Sequence, residues 1–159
     1  MTFSHRLPRF LFAAAVVLPA AAGCSSPADA EWTAPVPRPP AAEATLCHAL
    51  HKELPGTAGG LDRNDPAPDS ELTAGWGDGA IVLRCGVPRP PRMNDPQANA
   101  VEADGVDWLV EQRPDSGPRL TTTYRKAYVE VSLDKRYAHD VTPLADLAAA
   151  VRGTIPSTL

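Results

Sequence analysis

Leu72-Thr-Ala-Gly-Trp-Gly-Asp-Gly-Ala-Ile-Val-Leu-Arg-Cys-Gly-Val87 is the stretch that decides the fold. Two runs, Leu72–Trp76 and Ala80–Val87, flank Gly77-Asp-Gly79. A Gly/Asp turn between apolar runs is a strong hairpin signal, because these residues accept the positive φ that a tight reversal requires. In the second run Ile81, Leu83, Cys85 and Val87 fall on one side, with Arg84 opposite them. A strand with one apolar and one wet side belongs to an antiparallel sheet covered on a single face. Pro88-Arg-Pro-Pro91 ends it, since proline has no N–H to give the ladder.

Downstream, a polar stretch of Asn, Asp and Ala leads to a third strand, Val106–Glu111. After the turn cluster Pro114–Pro118, Leu120–Tyr124 and Ala127–Leu133 read as a hairpin reversing near Arg125-Lys126. Ala127, Val129, Val131 and Leu133 alternate with Tyr128, Glu130 and Ser132, again one buried and one wet face. Helices flank the strands. Leu46, Cys47, Leu50 and Leu54 share a face of a helix over residues 42–54 that Pro55-Gly56 stops. A second helix starts with Thr142 as N-cap, Pro143 in the first turn and Asp146 near the positive end of the dipole. Leu144, Leu147, Ala148 and Val151 make its stripe and Gly153 its stop. The expected fold is α+β: a roughly five-stranded antiparallel sheet with an N-terminal and a C-terminal helix packed on one face.

The N-terminus reads differently. Arg6 and Arg9 precede an uncharged run, Phe10 to Ala22, too short to span a bilayer, and Ala21-Ala22-Gly23-Cys24 closes it with small residues. This ending resembles the lipobox of bacterial lipoproteins. Residues 1–23 are thus expected to be a cleaved signal peptide and Cys24 to carry the lipid. Residues 24–42, rich in Pro, Ala and Ser, are expected to be a tether, partly PPII, before one domain over 43–159. Trp32 within it has two destinations, the membrane interface or the domain surface.

Charge narrows the partners. The chain after residue 23 keeps 13 of the 15 basic residues and all 19 acidic ones, so its net charge is −6 where the whole chain has −4. Nucleic acid is a poor partner for such a surface, because affinity for it rests on Lys and Arg neutralising phosphates. Anionic lipid headgroups repel it too, so membrane attachment is expected through the acyl chain alone. Abundant Ala, Pro and Arg suggest a high-GC genome, such as that of an actinobacterium. With Cys24 lipidated, Cys47 and Cys85 remain, and an even pair in an oxidising compartment reads as one disulfide between a helix and the sheet.

Chemistry is harder to find. No Gly-x-Ser-x-Gly is present, and Ser70, Ser116 and Ser132 lack an activating context. His48 and His51 stand one helical turn apart but no further ligands complete a metal set, and His139-Asp140 reads as a surface pair. Asp62, Asp65, Asp69 and Glu71 lack the oxygen spacing of a calcium loop. Gly75, Gly77 and Gly79 have neither the following helix nor the lysine of a phosphate cradle. No metal or cofactor is therefore expected. The best surface candidate is Arg84, Arg89 and Arg92 on a stiff proline-rich segment, with Trp76 and Trp108 on nearby strands. Guanidiniums there suit a carboxylate or phosphate, and aromatics beside them a sugar or peptide.

Arg63-Asn-Asp-Pro66, Leu72–Gly77, Ala80–Pro88, Gly105-Val-Asp-Trp-Leu109 and Ala127–Val131 together resemble the actinobacterial DUF3515 family over most of the chain from about Thr45 to Ile155. The resemblance implies small secreted or lipid-anchored proteins of undefined function, with cysteines at the helix and strand positions of Cys47 and Cys85. It implies no catalytic residue, ligand or partner. The expected function is a non-catalytic module that binds or scaffolds an envelope protein or cell-wall component at the outer face of the cytoplasmic membrane. The alternatives are a small ligand-binding protein or enzyme acting on wall precursors through Arg84, Arg89 and Asp107, and a purely structural role.

Overall fold

Residues 31–159 are described by the computed structural model, so the segment read as a signal peptide, the lipidation site Cys24 and the first part of the tether lie outside it. Helix α1 (Ala41–Glu53) is followed by a small ribbon of β1 (Thr57–Ala58) and β2 (Leu61–Asp62). Then come β3 (Thr73–Trp76), β4 (Ile81–Cys85), β5 (Ala100–Ala103), β6 (Val106–Glu111), β7 (Arg119–Thr122), β8 (Val129–Leu133) and α2 (Thr142–Thr154). The last six strands form one antiparallel sheet in the order β3-β4-β8-β7-β6-β5. The α+β class stands as expected, and β8 returns to the middle, where together with β7 it joins the two outer hairpins.

The sheet has six strands where about five were expected. The additional one is β5, paired through Ala103↔Val106 with β6. Its turn is Asp104-Gly105, both at positive φ (45° and 75°), the arrangement of a two-residue hairpin loop. Ala100-Val-Glu-Ala holds one β-branched residue, so the strand is specified by its turn and its partner rather than by its own composition.

Two strand boundaries also move. Tyr124 adopts a left-handed backbone (φ 52°) and leaves the ladder, so β7 ends at Thr122 and β8 begins at Val129. At α2 the cap is supplied by Asp140 and not by Thr142: its Oδ1 accepts the Thr142 backbone N–H at 2.8 Å. Gly153 lies inside the last turn, which continues to Thr154.

The Thr142 hydrogen bonds hold the Asp140 carboxyl below its ordinary value of 3.8. A carboxylate depressed in the folded state contributes stability that is complete above the unfolded value and disappears as pH falls through the folded one. Asp140→Asn, which keeps the acceptor without the charge, is therefore expected to remove part of the stability loss that wild type shows on acidification below about pH 4. Thermal midpoints of the two proteins across that range check it.

Both helices pack on the sheet face formed by Ile81, Leu83, Cys85, Val106, Trp108, Leu120, Val129 and Val131. The α2 helix buries Leu144, Leu147, Ala148 and Val151 there, whereas α1 buries only Cys47 and Leu50. So thin a stripe needs other fastening. A disulfide joins Cys47 to Cys85 on β4. Arg63 adds hydrogen bonds to the otherwise unpaired helix-end carbonyls of His51 (3.4 Å) and Leu54 (3.5 Å).

The stretch expected to be tether is in part built into the domain. The backbone of Trp32 to Ala34 pairs with Ala67: Ala34 N–H donates to Ala67 O at 3.2 Å and Ala67 N–H to Trp32 O at 3.0 Å. The Trp32 ring lies across Gly75 and Gly79, its Nε1 donating to Asn64 Oδ1. Pro35 O accepts from Arg84 (3.4 Å), and Pro39 packs on Gly86. Residues 32–40 thus form a strap over the β3–β4 end of the sheet, on the side away from the helices, which decides Trp32 in favour of the domain surface. Proline-rich composition hid this, because a PPII strap and a free PPII linker look alike in sequence.

Candidate functional site

Alternation along the strands places a second set of side chains on the strap side of the sheet. Across its middle runs a charge ladder. Arg84 Nε meets Glu130 Oε1 at 3.0 Å, Arg119 Nε meets Glu111 Oε2 at 3.1 Å, and Arg119 reaches Glu130 Oε2 at 3.8 Å. Glu130 is only 8% exposed, and its two arginine neighbours are what make that burial tolerable. The Glu111 carboxylate holds the Arg119 guanidinium still more firmly protonated. Arg84, expected to face solvent, is on the expected face, but its charge is spent on Glu130 and the strap.

Beyond the ladder the same face opens into a cleft of about 340 Å³. Asp107 and Leu109 on β6, Ala100 on β5, Thr123 and Tyr124 after β7, Tyr128 before β8, and Arg89 and Met93 from the β4–β5 loop line it. Three local features position its polar groups. Arg89 follows a proline and precedes two more, and its guanidinium donates to Asn94 Oδ1 (2.6 Å) and Met93 O (3.3 Å). Its acceptors are neutral, and this exposed guanidinium has no carboxylate partner among the described residues. Asp107 is held through its main chain, whose carbonyl accepts the Thr123 N–H at 2.8 Å, while its carboxylate has no ion-pair or hydrogen-bond partner among the described residues.

Tyr124 is the third. A left-handed backbone is uncommon for a bulky residue and persists only where neighbours impose it. Here the chain end does so, Thr158 N–H (2.9 Å) and Ser157 Oγ (3.3 Å) both donating to Tyr124 O. The ring is left 56% exposed at the cleft.

Of the five residues proposed from sequence as a ligand surface, the structure brings only Arg89 to this cleft. Trp76 and Trp108 are fully buried in the core, with Trp76 Nε1 donating to Pro55 O at 3.1 Å. On alternating strands they point to the helix side, opposite to the arginines. Arg92 is exposed and paired with Asp95 at 3.5 Å. Asp107, raised only in the wall-precursor alternative, does share the cleft with Arg89, whereas Arg84 does not. The aromatics that do line it, Tyr124 and Tyr128, were not singled out. Tyr128 lay on the wet face of an alternating strand and was within reach of that reasoning. Nothing in the local sequence marks Tyr124 as left-handed.

The other polar clusters serve the fold. Asp65 takes Arg63 (2.9 Å) and the Gly75 N–H (3.1 Å), with His51 at 3.9 Å, and His48 faces Glu71 at 3.8 Å. Among the described residues no three His, Cys, Asp or Glu side chains gather as a metal site. A larger hollow, about 490 Å³, lies beside His48 and Lys52 of α1, with Thr154 at the end of α2 on its rim. Two buried polar atoms, Trp108 Nε1 and Thr121 Oγ1, find no partner among the described residues.

The family described as "Protein of unknown function (DUF3515)" matches residues 9–159. The chain belongs to this family. Arg89, Asp107, Tyr124 and Tyr128 all fall inside the matched span, so the cleft is a feature of the DUF3515 region and not of an appendage to it. No curated protein and no solved structure shows significant similarity to the chain. Among the described residues, no helix is long and apolar enough to cross a membrane.

Proposed function

We propose that this DUF3515 protein is a non-catalytic binding module of the cell envelope, anchored by lipid at Cys24, with the Arg89–Asp107 cleft as its binding surface. The observation that carries the reading is the pair of unlike, uncompensated charges in one cleft walled by tyrosines. A folded surface normally pairs or solvates its charges singly. Here two of opposite sign line one cleft beside aromatic area, a combination that suits a ligand site. The lining holds no His, Cys or Ser. Asp107 is the one carboxylate of the lining, and no hydroxyl is hydrogen-bonded to it among the described residues, which favours binding over catalysis.

The anchor is supported by the small-residue approach to Cys24 and by the even thiol pair left after it. The strap sharpens where the module would work. With residues 32–40 docked, only residues 25–31 separate the lipidated Cys24 from the domain, a reach of roughly 25 Å at full extension. The partner is then a component lying at the membrane surface, within reach of that short leash, in an actinobacterial envelope. Cys24→Ser is expected to abolish labelling by a fatty-acid analogue, and persistence of the label would remove the anchor. Capture of an envelope component from intact cells by a photoactivatable residue at position 124 tests the binding surface.

A further inference from the structure

We propose that the cleft receives a zwitterion: a short peptide whose carboxylate pairs with Arg89 and whose ammonium pairs with Asp107. The inference rests on the binding reading above and adds the ligand's chemistry. Arg89 is a planar two-pronged donor, fixed by Asn94 and Met93 O rather than by an acid, and its best match is a carboxylate. Asp107 is an acceptor whose oxygens have no protein donor among the described residues, and its best match is a cation that donates hydrogen bonds. The two do not form an ion pair with each other among the described residues, which leaves both free for a ligand that bears both charges. That space is about 340 Å³, room for one or two amino-acid residues. Leu109, Met93, Ala98, Ala100 and the rings of Tyr124 and Tyr128 line the same cleft, an apolar bed for a side chain. A phosphate or polyanion would use Arg89 but meet the Asp107 carboxylate, and a polycation would suffer the reverse. Only a ligand carrying both signs satisfies both groups.

The experiment is a chemical-shift titration of the intact protein with the dipeptide Ala-Leu, its C-terminal amide and its N-acetyl form. Ala-Leu is expected to perturb residues around Arg89, Asp107, Tyr124 and Tyr128, and each capped form to bind about tenfold more weakly. Arg89→Gln should erase the penalty of amidation and Asp107→Asn the penalty of acetylation. Both side chains are exposed and outside any ion pair, so wild-type thermal midpoints confirm that the variants are folded. Binding that ignores both caps, maps elsewhere, or is absent overturns the zwitterion assignment. If it is absent while position 124 still captures an envelope component, the ligand class falls and the binding surface stands.

Discussion

Removing the disulfide by Cys47→Ala with Cys85→Ala is expected to lower unfolding free energy by about 4 kcal/mol. The bond closes a segment of 38 residues, and chain entropy for a loop of that length sets the figure. In a domain of this size the thermal midpoint should fall by roughly 10–20 °C. The loss should also be uneven. Because α1 buries only Cys47 and Leu50 within its span, whereas α2 buries six residues, the bond is expected to be the principal fastening of α1 to the sheet, its other neighbour being α2. Freed of it, α1 and the strap that enters it should exchange amide hydrogens well before β4, β8 and α2. Denaturant melts give the magnitude, and hydrogen exchange resolved by residue gives the order. A loss below about 1 kcal/mol, or uniform exchange, would show that α1 is held by packing after all.

Gly75→Ala is expected to expel the strap. Gly75 is fully covered in β3, and a methyl group there would overlap the Trp32 ring directly. The sheet residue is fixed by pairing with Val82, so the strap is the part that yields. Overpacking of this kind costs about 1–3 kcal/mol, and the strap gives up its hydrogen bonds to Ala67 and Asn64 as well. Trp76 and Trp108 are fully buried, so quencher-accessible tryptophan fluorescence belongs to Trp32. The variant should show one of its three tryptophans open to acrylamide, with red-shifted emission, while the far-UV spectrum stays that of wild type. An unchanged accessible fraction would mean that the ring does not rest on Gly75.

What the sequence disclosed followed period and punctuation. The hairpin at Gly77-Asp-Gly79, the alternation of β8, both helices and the cysteine pair all rest on local patterns that tertiary packing then reinforces. β5 was hidden because Asp104-Gly105 does the specifying and Ala100-Val-Glu-Ala has little strand character of its own. The strap was hidden because its contacts are with Gly75, Gly79 and Gly86, residues that leave no apolar signature to match.

The candidate site was legible only in Arg89 and Asp107. Charge is visible in a sequence, but which arginine is already paired is not: Arg84 and Arg92 find Glu130 and Asp95 only once the chain is folded. The tryptophans misled for a related reason. Trp76 and Trp108 share strands with polar neighbours, and on a one-sided sheet a large aromatic is worth more to the covered face than to the open one. Tyr124 came to the cleft through a backbone conformation imposed by the chain end some thirty residues away, which no local pattern encodes.

If this protein binds, as proposed, through the strap-side cleft and not through its helices, capture in intact cells should depend on where the probe sits. The most direct measurement places a photoactivatable residue at Tyr124 in one strain and at Lys52, on the exposed side of α1, in another, then irradiates intact cells. A discrete envelope adduct is expected from position 124, lost in the Arg89→Gln, Asp107→Asn background, and none from position 52. An adduct from position 52 alone, or equal capture from both, would contradict the proposal.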